Sequence, residues 1–232
     1  MLVAAAVCPH PPLIVPELAG AAAPELDDLR DACVSAVRSL AGSRPDTLIV
    51  VGGAGVAGSY EPDAGGSLAP WGVDIRVGSG NAVLPLSLTI GGLLLGLAGA
   101  GPPSGYEAVP SEASPDACAR LGAVLAERGR RLALLVMGDG PATLTVKAPG
   151  YLQTGAPAYH QALAQALGGA DIQALAALDP ADAQELWVGG RAAFQVLAGA
   201  GRAGDGLRGE LLYDDAPYGV GYLVARWSLR EA

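Results

Sequence analysis

Arg131-Leu132-Ala133-Leu134-Leu135-Val136-Met137 runs straight into Gly138-Asp139-Gly140, and this stretch decides the fold class. Six apolar residues in a row, without polar alternation, describe a strand buried on both faces, and such strands belong to sheets covered by helices. Thr47-Leu48-Ile49-Val50-Val51 repeats the pattern and leads into Gly52-Gly53-Ala54-Gly55, which reads as a flexible turn. Leu2 to Val7 supplies a third such strand ahead of Cys8-Pro9-His10-Pro11-Pro12. There the prolines force a loop, because proline has no N–H for a ladder.

Between these runs the apolar spacing turns helical. Pro24 to Leu40, Leu88 to Ala98, Ala117 to Arg128, Pro157 to Leu167 and Ala181 to Ala198 all read as helices. Asp179-Pro180 offers the last of them a capping carboxylate. Val73 to Val77, Glu210 to Tyr213 and Gly221 to Trp227 read as further strands. Strands alternating with helices, and no internal repeat or linker, predict a single α/β domain over residues 1–232. Its central sheet is expected to be mixed, mostly buried and flanked by helices.

Composition narrows the function classes. The 232 residues carry a formal net charge of −9, which argues against nucleic acid or an anionic membrane as partner. A 51% hydrophobic share with 16% charged residues argues against disorder. Leu84 to Gly101 is uncharged over 18 residues, but Pro85, Ser87, Thr89 and five glycines fit a strand feeding a buried helix better than a membrane span. Cys8, Cys33 and Cys118 lack CxxC spacing and read as free thiols of a reducing, cytoplasmic compartment. Thirteen arginines against the single Lys147, in an Ala- and Gly-rich chain, fit a GC-rich bacterial genome.

Two histidines cap the metal chemistry, since any site of three imidazoles is excluded. Ligands of open α/β sheets bind beyond the carboxyl ends of strands, so the loops holding His10 and Asp139 are the candidates. A histidine wedged between prolines suits metal ligation or acid–base work, and equally suits a hydrogen bond to its own loop. Asp139 can be a ligand, a base or the side chain of an Asx turn. His160 sits on an amphipathic helix as a surface or groove residue. Cys8-Pro9-His10 has no second pair to complete a zinc site, and no G-x-S-x-G or P-loop is present.

Several segments, in order, resemble the subunit-B family of class III extradiol ring-cleavage dioxygenases. They are Val7-Cys8-Pro9-His10-Pro11-Pro12, the Thr47–Val51 strand with its glycine loop, and Met137-Gly138-Asp139-Gly140 followed by Leu144-Thr145. Gly189-Gly190-Arg191 and Ala216-Pro217-Tyr218-Gly219-Val220-Gly221 complete the series. The resemblance implies a dioxygenase subunit-B fold and, in active members, a non-haem Fe(II) held by two histidines and a glutamate, with a further acid–base histidine. His10 falls on the first ligand position. Ala54 falls on the second, Ala142 on the acid–base position, and Trp187 on the glutamate, with Glu185 two residues away. Alanine has no lone pair for a metal and the indole N–H only donates.

The expectation is therefore a homologue with a degenerate iron site and no cofactor. It would be non-catalytic or bind a small aromatic ligand through His10, Gly138, Asp139, Gly140 and Tyr218, with a homodimer as a further expectation. The alternative is an active dioxygenase that opens a catechol-type ring with O2, using Fe(II) on His10 and rearranged ligands.

Overall fold

Each long apolar run becomes a strand in the computed structural model, which describes residues 1–202 and 206–229. In chain order the elements begin with β1 (Leu2–Cys8), the short α1 (Pro16–Ala19), α2 (Asp27–Gly42) and β2 (Thr47–Ala54). Three short strands follow, β3 (Gly58–Tyr60), β4 (Gly66–Ser67) and β5 (Arg76–Val77). Then come α3 (Leu86–Ala98), β6 (Gly105–Pro110), α4 (Pro115–Glu127) and β7 (Leu132–Met137). The last third holds α5 (Ala156–Gly169), α6 (Ile172–Ala176), α7 (Pro180–Glu185), α8 (Arg191–Gly201), β8 (Leu207–Asp215) and β9 (Tyr222–Leu229).

Seven strands form one mixed sheet in the order β3-β6-β2-β7-β1-β9-β8. β6, β2, β7 and β1 are parallel, while β3, β9 and β8 join antiparallel at the flanks. β1 connects to β2 and β2 to β6 in one direction across the sheet, and β6 returns to β7 in the other. Right-handed crossovers then require helices on opposite faces. Accordingly α2 and α3 cover one face, whereas α4, α5 and α8 cover the other.

The strands serve both layers by alternation. Leu132, Leu134 and Val136 point to the α4–α5–α8 layer, and Ala133, Leu135 and Met137 to the α2–α3 layer. Fully burying a side chain such as Phe194 on the first layer contributes about 1.5–3 kcal/mol. No helix among the described residues is long and apolar enough to cross a membrane. Leu84 to Gly101 holds α3 and, within that stretch, no strand.

Other expectations shift as well. Gly52, Gly53 and Ala54 are not a turn but the continuation of β2, paired with Ala108, Val109 and Pro110 of β6. The expected helix from Ala181 to Ala198 is two, because Trp187 takes a left-handed backbone (φ 55°) and Gly189-Gly190 follow. Val73 to Val77 contributes only the two-residue β5.

At the amino ends of the parallel strands the chain is stitched tightly. Asp46 accepts the backbone N–H groups of Arg130 and Arg131, each at 3.1 Å. The Arg131 guanidinium donates to the carbonyls of Arg44 and Ser43. The hydrogen bond from the Arg131 N–H, more than any other contact, holds the Asp46 carboxyl below its usual range.

Candidate functional site

β1 and β7 are neighbours whose following segments leave toward opposite faces, which makes a crevice at their carboxyl ends. Their register sets Cys8 opposite Met137, so residues two further along each strand meet. These are His10 and Asp139. The His10 backbone N–H donates to Asp139 Oδ1 at 2.9 Å, and the imidazole Nδ1 stands 3.8 Å from the same oxygen. Both side chains are largely buried, 15% and 20% exposed, and His10 Nδ1 has no hydrogen-bond partner. Asp139 is thus a backbone clamp for the His10 loop first, and a neighbour of its ring second.

Gly138 and Gly140 shape this clamp. A Cβ on Gly138 would lie 2.6 Å from the Gly190 Cα and 2.7 Å from the Phe194 ring, so only glycine lets the α8 segment approach. The Gly138 N–H donates to the Cys8 carbonyl at 3.0 Å, and the Gly190 N–H donates to the Asp139 carbonyl at 2.8 Å. The Gly140 N–H donates to the Gly221 carbonyl at 2.8 Å. Three separate segments are therefore fastened to one loop.

Tyr218 sits elsewhere on this rim, its hydroxyl 3.0 Å from Glu25 Oε2. Tyr222, which the sequence did not mark, is buried near Asp139. Burial and then the Asp139 charge push its phenol well above the usual range. His160 reaches the site from α5. Its Nε2 lies 2.6 Å from Asp214 Oδ1, and its Nδ1 is buried against Gly221 without a partner. A Cβ on Gly221 would fall 2.3 Å from that Nδ1, so glycine makes room for the ring. The neighbouring Tyr159 hydroxyl is also buried and unpartnered, and burial pushes its pKa up to about 12.

Beyond Gly189 lies a cleft of about 580 Å³, lined among others by Ser111, Gln184, Trp187, Val188 and Arg191. The Gly189 carbonyl would be 3.2 Å from a Cβ on Gly53, which ties the cleft to the end of β2. Trp187 is 57% exposed at its rim. A left-handed backbone is costly for a bulky residue, and such strain gathers where ligands bind. The sequence marked Trp187 only as the residue at the glutamate position, because apolar spacing runs through it as helix; the Gly189-Gly190 pair was the available signal of the break.

The donors present fall short of the iron centre that the resemblance implies. His10 and Asp139 supply two donors side by side, and Asp139 Oδ1 is already bound to a backbone N–H. Ala54 ends β2, Glu185 is exposed at the end of α7, and His160 Nε2 is engaged by Asp214. Among the described residues no group of three or more His, Cys, Asp or Glu side chains can hold a metal ion. The residues present do not fit a facial triad.

No family model matches the chain. No curated protein matches it either. Among solved structures, the crystal structure of an uncharacterized protein from Escherichia coli is similar, with a TM-score of 0.56 and 15% identity. The match covers 97% of this chain and 99% of that one. At this identity the likeness concerns the α/β fold.

Proposed function

We propose that this chain is a cytoplasmic small-molecule-binding protein of the class III extradiol dioxygenase subunit-B type, whose iron site is degenerate. One observation carries the reading. Trp187 is held exposed, in a strained backbone, on the rim of the cleft that adjoins the His10–Asp139 loop. A ring face left open above a concave surface suits a small aromatic ligand, which stacks on the indole with centroids about 4.5–7 Å apart. His10 and Asp139 do not line that cleft; Asp139 supports it from behind, through Gly189 and Gly190.

Calorimetric titration with catechol tests this. Heat of binding is expected for the parent, and at least a tenfold weaker affinity for Trp187→Ala. Absence of heat in the parent refutes the reading.

The second reading, an active dioxygenase with rearranged ligands, is favoured by one feature, the unpartnered Nδ1 of His10 beside a carboxylate. It requires a third donor. Stoichiometric iron in the purified protein, lost in His10→Ala together with oxygen uptake on catechol, would establish it in place of the first.

A further inference from the structure

Arg191, the first residue of α8, is only 3% exposed, yet it lines the cleft. Its Nη1 donates to the Ala113 carbonyl at 2.5 Å and to Gln195 Oε1 at 2.9 Å, and its Nη2 donates to the Ser111 carbonyl. These acceptors are neutral. Among the described residues none of the ion pairs involves Arg191, so a full positive charge is buried without a carboxylate. A buried charge is ordinarily paired, because desolvating it alone is expensive. Its Nε–H also has no partner among the hydrogen bonds of the described residues.

The same place is the amino end of an eleven-residue helix whose N-cap, Gly190, supplies no side-chain acceptor. The Gly190 N–H is taken by the Asp139 carbonyl and the Arg191 N–H by the Val188 carbonyl, which leaves the Ala192 and Ala193 N–H groups to the first turn, where the helix dipole adds positive potential. Arg191 and Gly189, which flank that helix end, both line the cleft beside Trp187. Glu112 is the one carboxylate among the residues lining it, and it is exposed, where water screens it.

We infer that the cleft is an anion site, in which Arg191 and the head of α8 receive a carboxylate or phosphate group while Trp187 receives the ring that carries it. The inference rests on the ligand-binding reading above and adds the charge of the ligand. Arg191 holds Ser111 and Ala113 whether or not a ligand is present, so it is pre-organised and no side chain need move to accept the anion.

The test is an amide and indole NMR titration of the whole chain with benzoate, phenyl phosphate and benzamide. Benzoate or phenyl phosphate is expected to bind at least tenfold more tightly than benzamide, shifting the Ala192 and Ala193 amides with the Trp187 indole. The tighter of the two identifies the anion. Gln184→Glu sets a negative charge on the exposed flank of the cleft, and should weaken the anion relative to benzamide, by a factor that shrinks as salt is raised. Arg191→Gln should erase the difference between anion and amide; Gln184→Glu carries the test if that variant does not fold. Equal affinity for all three probes overturns the anion site and leaves the aromatic-ligand reading standing. No shift with any probe overturns both.

Discussion

The two ends of the parallel strands are built in opposite ways. At the amino ends Asp46 gathers two backbone N–H groups and Arg131 gathers two carbonyls, so exposed polar groups are used in full. At the carboxyl ends His10 Nδ1, His160 Nδ1 and the Tyr159 hydroxyl are buried without partners. Trp187 and Tyr151 there adopt left-handed backbones while remaining largely exposed, as Arg44 does at the amino ends, so the unpartnered buried groups rather than strain set the two ends apart. Each unsatisfied buried group costs about 1–3 kcal/mol, and each strained residue about 1–2 kcal/mol. The amino end serves stability, and the carboxyl end gives up stability to hold polar and aromatic groups in place, as the proposed ligand site requires.

The strongest way to break this contrast is at Gly138. Gly138→Val drives new methyl groups into Gly190 and Phe194, and overpacking of this kind costs about 1–3 kcal/mol or more in denaturant unfolding. An unchanged midpoint would mean that the carboxyl end has slack and that its geometry is not fixed. Next, Tyr159→Phe removes a buried hydroxyl with no partner, and should raise stability by about 1 kcal/mol. A loss of that size would reveal a partner, such as a bound water, and make this end less costly than claimed.

Smaller again is Trp187→Gly. Relief of about 1–2 kcal/mol of left-handed strain exceeds glycine's extra unfolded-state entropy of about 0.5–1 kcal/mol. Thermal unfolding should therefore show equal or slightly higher stability, alongside lost catechol binding. The smallest effect lies at the other end. Asp46 has a lowered folded-state pKa, so its stabilisation is complete above the unfolded value of about 3.9 and disappears as pH falls through the folded value. Asp46→Asn should be less stable than the parent at pH 7 and equal to it once both states are protonated. A difference independent of pH would separate the stitching from the carboxylate charge.

The architecture was legible where burial on both faces writes itself as a continuous apolar run, as in β1, β2 and β7. β6 escaped because Glu107 interrupts its pattern; that carboxylate is buried and joined to Arg128 at 2.6 Å, a partner the sequence places 21 residues away. The split between α7 and α8 escaped because apolar spacing runs through Trp187 without a break. At the site, His10 and Asp139 were visible as residues of loops that follow strands, and the register of β1 with β7 explains their meeting. Trp187 and Arg191 acquire their roles from packing against distant segments, which residue type and local spacing do not encode.

β7 lies between β1 and β2, although it is made long after both. The hydrogen bond that joins His10 to Asp139 closes a sequence separation of 129 residues. At a synthesis rate of about 5–20 residues per second, β1 waits roughly 6 to 26 s for its central neighbour. During that interval the most apolar edges of the nascent sheet have no partner strand. Arrival of β7 joins β1 to β2, while β9, β8 and the Pro180–Arg191 segment that lines the cleft follow later still, so nascent chains stopped short of Arg191 lack the cleft altogether. On the proposed reading ligand capture would report that α8 has arrived, and a fragment ending before Leu132 should engage chaperones and remain blind to ligand.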